Sequence, residues 1–343
     1  MKIVLDAMGG DYAPAVTVEG AVLAAREFDV PIILVGRETV IRQELAKHET
    51  SGLPLSVVQA DEIIEMEDKP SEVVRGKPNS CMHIGMRLVK TGEADAFVTA
   101  GNTGATLAIA LLELGRIKID GQRRIHRPAL ATVLPTKTGM CFFLDIGANT
   151  DWKPAYLQQF AVMGSIYAEN VLGVANPRVG IVSIGEEEGK GNIPVRQAYD
   201  LIKATPGLNF VGNVEGRDVP AGLADVVVTD GFTGNVMIKL SEGVASLILD
   251  TLRAEIMSRP QAKVGAALAK PAFRAAAKKL DYAEYGGAVL LGLNHVCIIG
   301  HGSSNARAVR SAIKVAREAV LADVTGKIRT GLLERPVVLL DAE

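Results

Sequence analysis

Short apolar runs alternate with helical periodicity along most of the chain. Residues 3–5, 32–35, 96–99, 130–134, 141–144, 179–182 and 226–229 are strongly apolar, several of them β-branched, and too short for helices. They read as buried strands. Apolar positions at three- and four-residue spacing predict helices over 15–27, 38–48, 79–90, 103–115, 154–172 and 193–203. Alternation of this kind predicts an α/β fold with a doubly wound, mostly parallel sheet.

A long helical pattern runs over 234–256. Beyond it, Pro260 and Pro271 punctuate the segment 259–285, which predicts short helical pieces. Val264, Leu268 and Phe273 supply its apolar groups; Lys263, Lys270, Arg274, Lys278 and Lys279 supply positive charge. After Gly286 and Gly287 come two strand-like runs, 288–291 and 296–299, and a final helix begins near Ser303. The expectation is one α/β domain over 1–343 with a helical projection over about 234–285.

Composition narrows the picture. A chain of 343 residues, 48% hydrophobic, can bury a large core. Its 35 glycines among apolar segments suggest tight loops between buried elements. A net charge of −2 gives no global footprint for nucleic acid. Cys81, Cys141 and Cys297 make no CxxC pair, so a disulfide framework is not expected and a reducing cytoplasm fits. The N-terminal apolar run stops at Asp6, too early for a signal-peptide core. No run approaches the roughly 18 apolar residues of a membrane span, so membrane contact is expected to be peripheral.

Six polar, glycine-rich loops follow predicted strands, where open α/β sheets bind ligands. The first holds Asp6, Gly9, Gly10 and Asp11; a tight turn with Asp11 helping to cap the next helix explains it equally well. The second, with Asn102, Thr103 and Gly104, would place N–H groups at a helix N-terminus, a natural anion site. The third carries Asp145 and Asn149, the latter also readable as a cap. The fourth contains Ser183, Gly185, Lys190 and Gly191, with three glutamates between. It differs from the triphosphate loop by one residue of spacing and by Gly191 in place of a hydroxyl, which argues against triphosphate hydrolysis. Lys190 could still reach a single phosphate. The fifth holds Asp230, Gly234 and Asn235, either capping a helix or donating to an oxyanion. The sixth holds His301 and Ser303, with His301 an acid, a base or a turn residue. Neither a dinucleotide fingerprint nor a metal-ligand spacing is present, so no cofactor or metal is expected.

The ordered strings DAMGGDYAP, TAGNTGA, DIGAN, SIGEEEGKGN, TDGFTGNV and GHGSSN resemble the phosphate acyltransferase family of phospholipid synthesis, known as PlsX. The likeness runs nearly end to end, and is least informative in the middle of 259–285. It implies a fold related to phosphotransacetylases and the isocitrate dehydrogenase group. It implies transfer of an acyl group from acyl carrier protein to inorganic phosphate, by a cytoplasmic, peripherally membrane-associated homodimer. The acyl phosphate would feed a membrane glycerol-3-phosphate acyltransferase. By the same resemblance Lys190 and Asn235 are the catalytic positions. The other loop residues named above are expected, from their place after strands, to contact phosphate or substrate. Acyl carrier proteins are acidic, so a basic rim is expected, with Arg123, Arg124, Arg127 and the cations of 259–279 as candidates. Val264, Leu268 and Phe273 would meet an anionic membrane surface. Two other readings remain at this point: a short-chain phosphotransacetylase using coenzyme A, and a non-catalytic, membrane-associated scaffold.

Overall fold

The computed structural model describes residues 1–120, 123–280, 286–335 and 337; the side chains of Asp120 and of 277–280, hence the expected charges of Lys278 and Lys279, lie outside the described residues. The strands are β1 (Ile3–Asp6), β2 (Ile32–Gly36), β3 (Leu55–Gln59), β4 (Ala96–Thr99), β5 (Lys118–Asp120), β6 (Arg123–Arg124), β7 (Ala129–Thr136), β8 (Gly139–Leu144), β9 (Arg178–Val182), β10 (Asn209–Val214), β11 (Val226–Val228), β12 (Ala288–Leu291) and β13 (Val296–Ile299). Eleven of them form one sheet in the order β10-β9-β11-β8-β7-β12-β13-β4-β1-β2-β3, while β5 and β6 form a separate hairpin.

The apolar runs become strands because both sheet faces are covered. Along β1, Ile3 and Leu5 point into one cluster and Val4 into the other. The first cluster is closed by the helices Ala15–Phe28, Pro154–Asn170, Ile193–Lys203, Ala306–Leu321 and Val324–Glu334. The second lies under Cys81–Lys90 and Thr103–Glu113. Phe97, Phe142, Phe143 and Phe160 are fully buried, and Phe142 stacks on Tyr167 with ring centroids 4.2 Å apart. Cys81, Cys141 and Cys297 are all buried and unpaired. Burial pushes the thiols of Cys141 and Cys297 up to about 12, so they pack as small hydrophobes rather than serve as nucleophiles.

Strand direction matters for the site. β10, β9, β11 and β8 run parallel to one another. Three antiparallel steps follow, β8 to β7, β7 to β12 and β12 to β13. β13, β4, β1, β2 and β3 are again mutually parallel. An odd number of reversals turns the two parallel blocks against each other, so their loops leave the sheet at opposite strand ends.

The predicted long helix is Gly231–Ser258, 28 residues and about 42 Å at 1.5 Å per residue. Its first turns pack Met237 and Ile238 over β8 and β11, and most of the remainder is exposed. The predicted short pieces are Pro260–Leu268, which packs on that helix, and Lys270–Leu280. The final helix starts at Ala306, three residues later than expected, and a further helix, Val324–Glu334, follows it. Among the described residues no helix is long and apolar enough to cross a membrane.

Candidate active site

The six loops gather into two groups. In the first, the loops after β1, β4 and β13 meet. Asp6 is buried; its Oδ1 accepts from Met8 N at 3.1 Å and its Oδ2 from the Thr99 hydroxyl at 2.9 Å. Burial pushes the Asp6 carboxyl up to about 6, against the pull of those donors. Asp11 is exposed and donates its backbone N–H to Gly302 O at 2.9 Å. It does not cap the next helix: the N-cap position is Pro14, with no side-chain cap bond. Gly9, Gly10, Ala100, Gly302 and Ser304 line a small recess between these loops.

Asn102 is consumed by structure. Its Oδ1 caps the Thr103–Glu113 helix by accepting from Ala105 N at 3.0 Å, and its Nδ2 donates to Met66 O and Asp68 O, each at 2.9 Å. Thr103 is exposed at that helix start, and Gly104 lies against Pro70. His301 accepts the Ser303 N–H at Nδ1 (3.2 Å), with the Ser303 hydroxyl 2.8 Å from the same nitrogen. The neutral ring therefore carries its proton on Nε2.

The second group comprises the loops after β8, β11 and β9, three adjacent parallel strands. Asp145 is fully buried and accepts five N–H donors, from Leu130, Gly147, Ala148, Asn149 and the Asn149 side chain, at 2.8–3.1 Å. Burial pushes its pKa up while those donors pull the other way. Its place is inside the loop, holding the backbone rather than meeting a ligand. Asn149 donates its remaining side-chain bond to Pro128 O at 2.8 Å, and its carbonyl accepts from Gly231 N at 2.8 Å. Asp230 caps the long helix, taking Thr233 N at 2.9 Å and the Thr233 hydroxyl at 2.7 Å. These bonds fix the first turn, and Asn235, the fifth residue of the helix, is exposed beside Gly147.

The Lys190 loop is braced from two sides. Glu187 O accepts from Lys190 N at 3.0 Å and from the Asn213 side chain at 2.7 Å. Glu188 pairs with Lys203 and accepts from the Tyr199 hydroxyl at 3.1 Å; Glu186 and Glu187 are exposed. Glu188 is thereby neutralised, whereas the Glu187 carboxylate lies beside Gly185, next to the Lys190 stem. Gly185 lies against the Lys190 side-chain stem. Gly191 needs glycine twice over: its φ is +99°, and a Cβ there would approach Val195 and the Ser183 hydroxyl. Lys190 itself is exposed. Ser183 Oγ and Asn213 Oδ1 are buried and have no hydrogen-bond partner among the described residues.

Lys190, Asn235 and Asn149 thus belong to one group, while the loops at Gly9, Asn102 and His301 belong to the other, because the sheet reverses between them. Asn213 is not singled out by the sequence, because it lies in β10, whose mixed composition hides it as a strand; Thr99 opens the TAGNTGA string, but nothing in the sequence pairs it with Asp6. Among the described residues no group of three His, Cys, Asp or Glu side chains is placed to hold a metal ion.

Comparison with known proteins agrees with this architecture. A family model described as "Fatty acid synthesis protein" matches residues 1–327. A phosphate acyltransferase of Desulfitobacterium hafniense is 50% identical over 321 residues, covering 93% of this chain and 94% of that protein. One from Pelotomaculum thermopropionicum is 50% identical over 332 residues, covering 97% and 95%. A phosphotransacetylase structure from Streptococcus pyogenes superimposes with a TM-score of 0.63 over 94% of each chain; at 18% identity this is a likeness of fold. The chain belongs to the fatty acid synthesis protein family and, within it, to the phosphate acyltransferases, a family of transferase enzymes.

Proposed function

We propose that the protein transfers a fatty acyl group from acyl carrier protein to inorganic phosphate. A phosphate oxygen attacks the thioester carbonyl, the C–S bond breaks, and the products are an acyl phosphate and the carrier thiol. The observation that carries this reading is the common placement of Lys190 and Asn235. Their loops leave the neighbouring parallel strands β9 and β11 at the same strand end, with Asn235 at the N-terminus of a 28-residue helix.

Phosphate is already a competent nucleophile, so position and electrostatics suffice. Holding it beside the thioester removes an entropic barrier of roughly 7–11 kcal/mol in well-oriented cases. Lys190 holds phosphate and offsets its charge as it meets the carbonyl. The Asn235 side-chain amide stabilises the tetrahedral oxyanion, where losing one donor costs about 2.7–4 kcal/mol. Replacement of Lys190 by Ala should abolish turnover without unfolding the protein; near-normal turnover would remove its central residue.

Two surfaces support an assembled, membrane-facing enzyme. Val236, Leu240, Val244 and Leu247 form an exposed apolar row on the long helix at three- and four-residue spacing, suited to a second copy in a homodimer. Val264, Leu268 and Phe273 are 65%, 82% and 42% exposed beside Lys263, Lys270 and Arg274, a composition suited to peripheral contact with an anionic membrane from the cytoplasm. There the acyl phosphate would meet the glycerol-3-phosphate acyltransferase that consumes it. A short-chain reaction with coenzyme A would share fold and phosphate chemistry; comparing long-chain carrier with acetyl-coenzyme A as donor separates the two.

A further inference from the structure

A cationic patch borders the Lys190–Asn235 end of the sheet. It consists of Arg116, Lys118, Arg124, Arg127 and Lys153. The antiparallel pairing of β5 with β6 sets Lys118 directly opposite Arg124, an arrangement that destabilises a strand pair. Arg116 reaches from the residue before Ile117 to donate from Nη1 to His126 O at 2.6 Å. Burial first, then the guanidiniums of Arg124 and Arg127, hold the Arg116 pKa below its ordinary value. Burial, then Arg116, Lys153 and Arg127, hold His126 low in the same way. The cations are thus mutual neighbours. Among the described residues no carboxylate lies within ion-pair distance of Lys118, Arg124, Arg127 or Lys153, all four of which are exposed.

Short links fix the position of the patch. Pro128, next to Arg127, accepts from Asn149 Nδ2 at 2.8 Å, and Asn149 O accepts from Gly231 N at 2.8 Å. Lys153 stands at the N-cap position of the Pro154–Asn170 helix, four residues after Asn149. The other basic region, with Lys263, Lys270 and Arg274, begins only beyond the far end of the 28-residue helix, about 42 Å of helix from Gly231.

We infer that the Arg116–Lys153 patch, and not the basic 259–274 segment, is the surface on which an acidic carrier protein docks to present its thioester to Lys190 and Asn235. The inference rests on the carrier-dependent reaction proposed above. Unpaired cations clustered against their own repulsion raise the encounter rate with an acidic partner, and the gain falls as salt rises.

The test is the double variant Arg124→Glu/Lys153→Glu in the full-length enzyme. An acid at 124 would face Lys118, and an acid at 153 would sit at a helix N-terminus, so both changes favour the fold. The melting temperature and the KM for phosphate should hold, while kcat/KM for palmitoyl carrier protein at low salt falls about tenfold or more and loses most of its salt dependence. Lys263→Glu/Arg274→Glu should leave carrier kinetics unchanged. Normal carrier kinetics in the 124/153 variant would overturn the inference. So would a loss confined to binding of phosphatidylglycerol vesicles, which would assign the patch to lipid. Anisotropy titration of labelled palmitoyl carrier protein separates the two levels. Binding that requires Arg124 and Lys153 without turnover overturns the reaction and keeps the surface. Turnover with unweakened binding in the double variant overturns the surface and keeps the reaction.

Discussion

The Cα of Gly234 packs so closely on the main-chain oxygen of Asp145 that a Cβ would overlap it. This contact locks the start of the long helix to the loop held by the buried Asp145 carboxylate. Gly234→Ala should therefore push the two apart, destabilising the protein by about 1–3 kcal/mol and lowering turnover by displacing Asn235. Gly265, within the helix Pro260–Leu268, has open space around it, so Gly265→Ala should stabilise by about 0.5–1 kcal/mol. Urea unfolding of both variants checks the pair; equal midpoints would refute the packing argument.

Asn213 reaches Lys190 through a shared acceptor, the Glu187 carbonyl. Asn213→Ala should loosen that turn and lower kcat/KM for phosphate by roughly tenfold, in line with about 1–3 kcal/mol for a buried hydrogen bond. In a Lys190→Ala background the same change should add little, since the residue acts through Lys190. Full additivity in the double-mutant cycle would assign Asn213 a role in general stability instead.

Asp6 links stability to pH. Its folded carboxyl keeps a proton up to about 6, whereas the unfolded one gives it up near 3.9. The folded state thus binds more protons between these values, so this contribution is complete below about pH 4 and is lost as pH rises to about 6. Two units correspond to about 3 kcal/mol at most. Asp6→Asn should flatten the decline in unfolding free energy across that window; an unaltered slope would show that other groups produce it.

Leu268 and Phe273 are exposed in the helical pieces that follow the long helix. Leu268→Glu/Phe273→Glu should abolish sedimentation with anionic liposomes and leave turnover on soluble acyl carrier protein intact. Liposome binding equal to that of the unaltered protein would refute the membrane assignment.

Much of the fold is legible in the sequence because most strands are buried on both faces and so read as unbroken apolar runs. β3 and β10 escape for the opposite reason. They are the sheet edges, partly exposed, and Ser56, Gln59, Asn209 and Asn213 interrupt their apolar pattern. The loops are legible as special, but not what their side chains do. Asn102 and Asp230 are caps, and Asp145 is an internal strut; which polar group faces inward is decided by contacts distant in sequence, such as Asn102 with Met66 and Asp145 with Leu130. The two-group arrangement depends on the insertion of β7 and β12 between the parallel blocks, a long-range pairing that local periodicity does not encode.

In the proposed reaction, phosphate held near Lys190 and Asn235 attacks a carrier-bound thioester. Mass spectrometry of a reaction containing palmitoyl carrier protein, inorganic phosphate and the enzyme tests it directly. The expected products are palmitoyl phosphate and an equal amount of free carrier thiol, with neither formed by Lys190→Ala. Release of free palmitate in place of palmitoyl phosphate, or no loss of thioester at all, would contradict it.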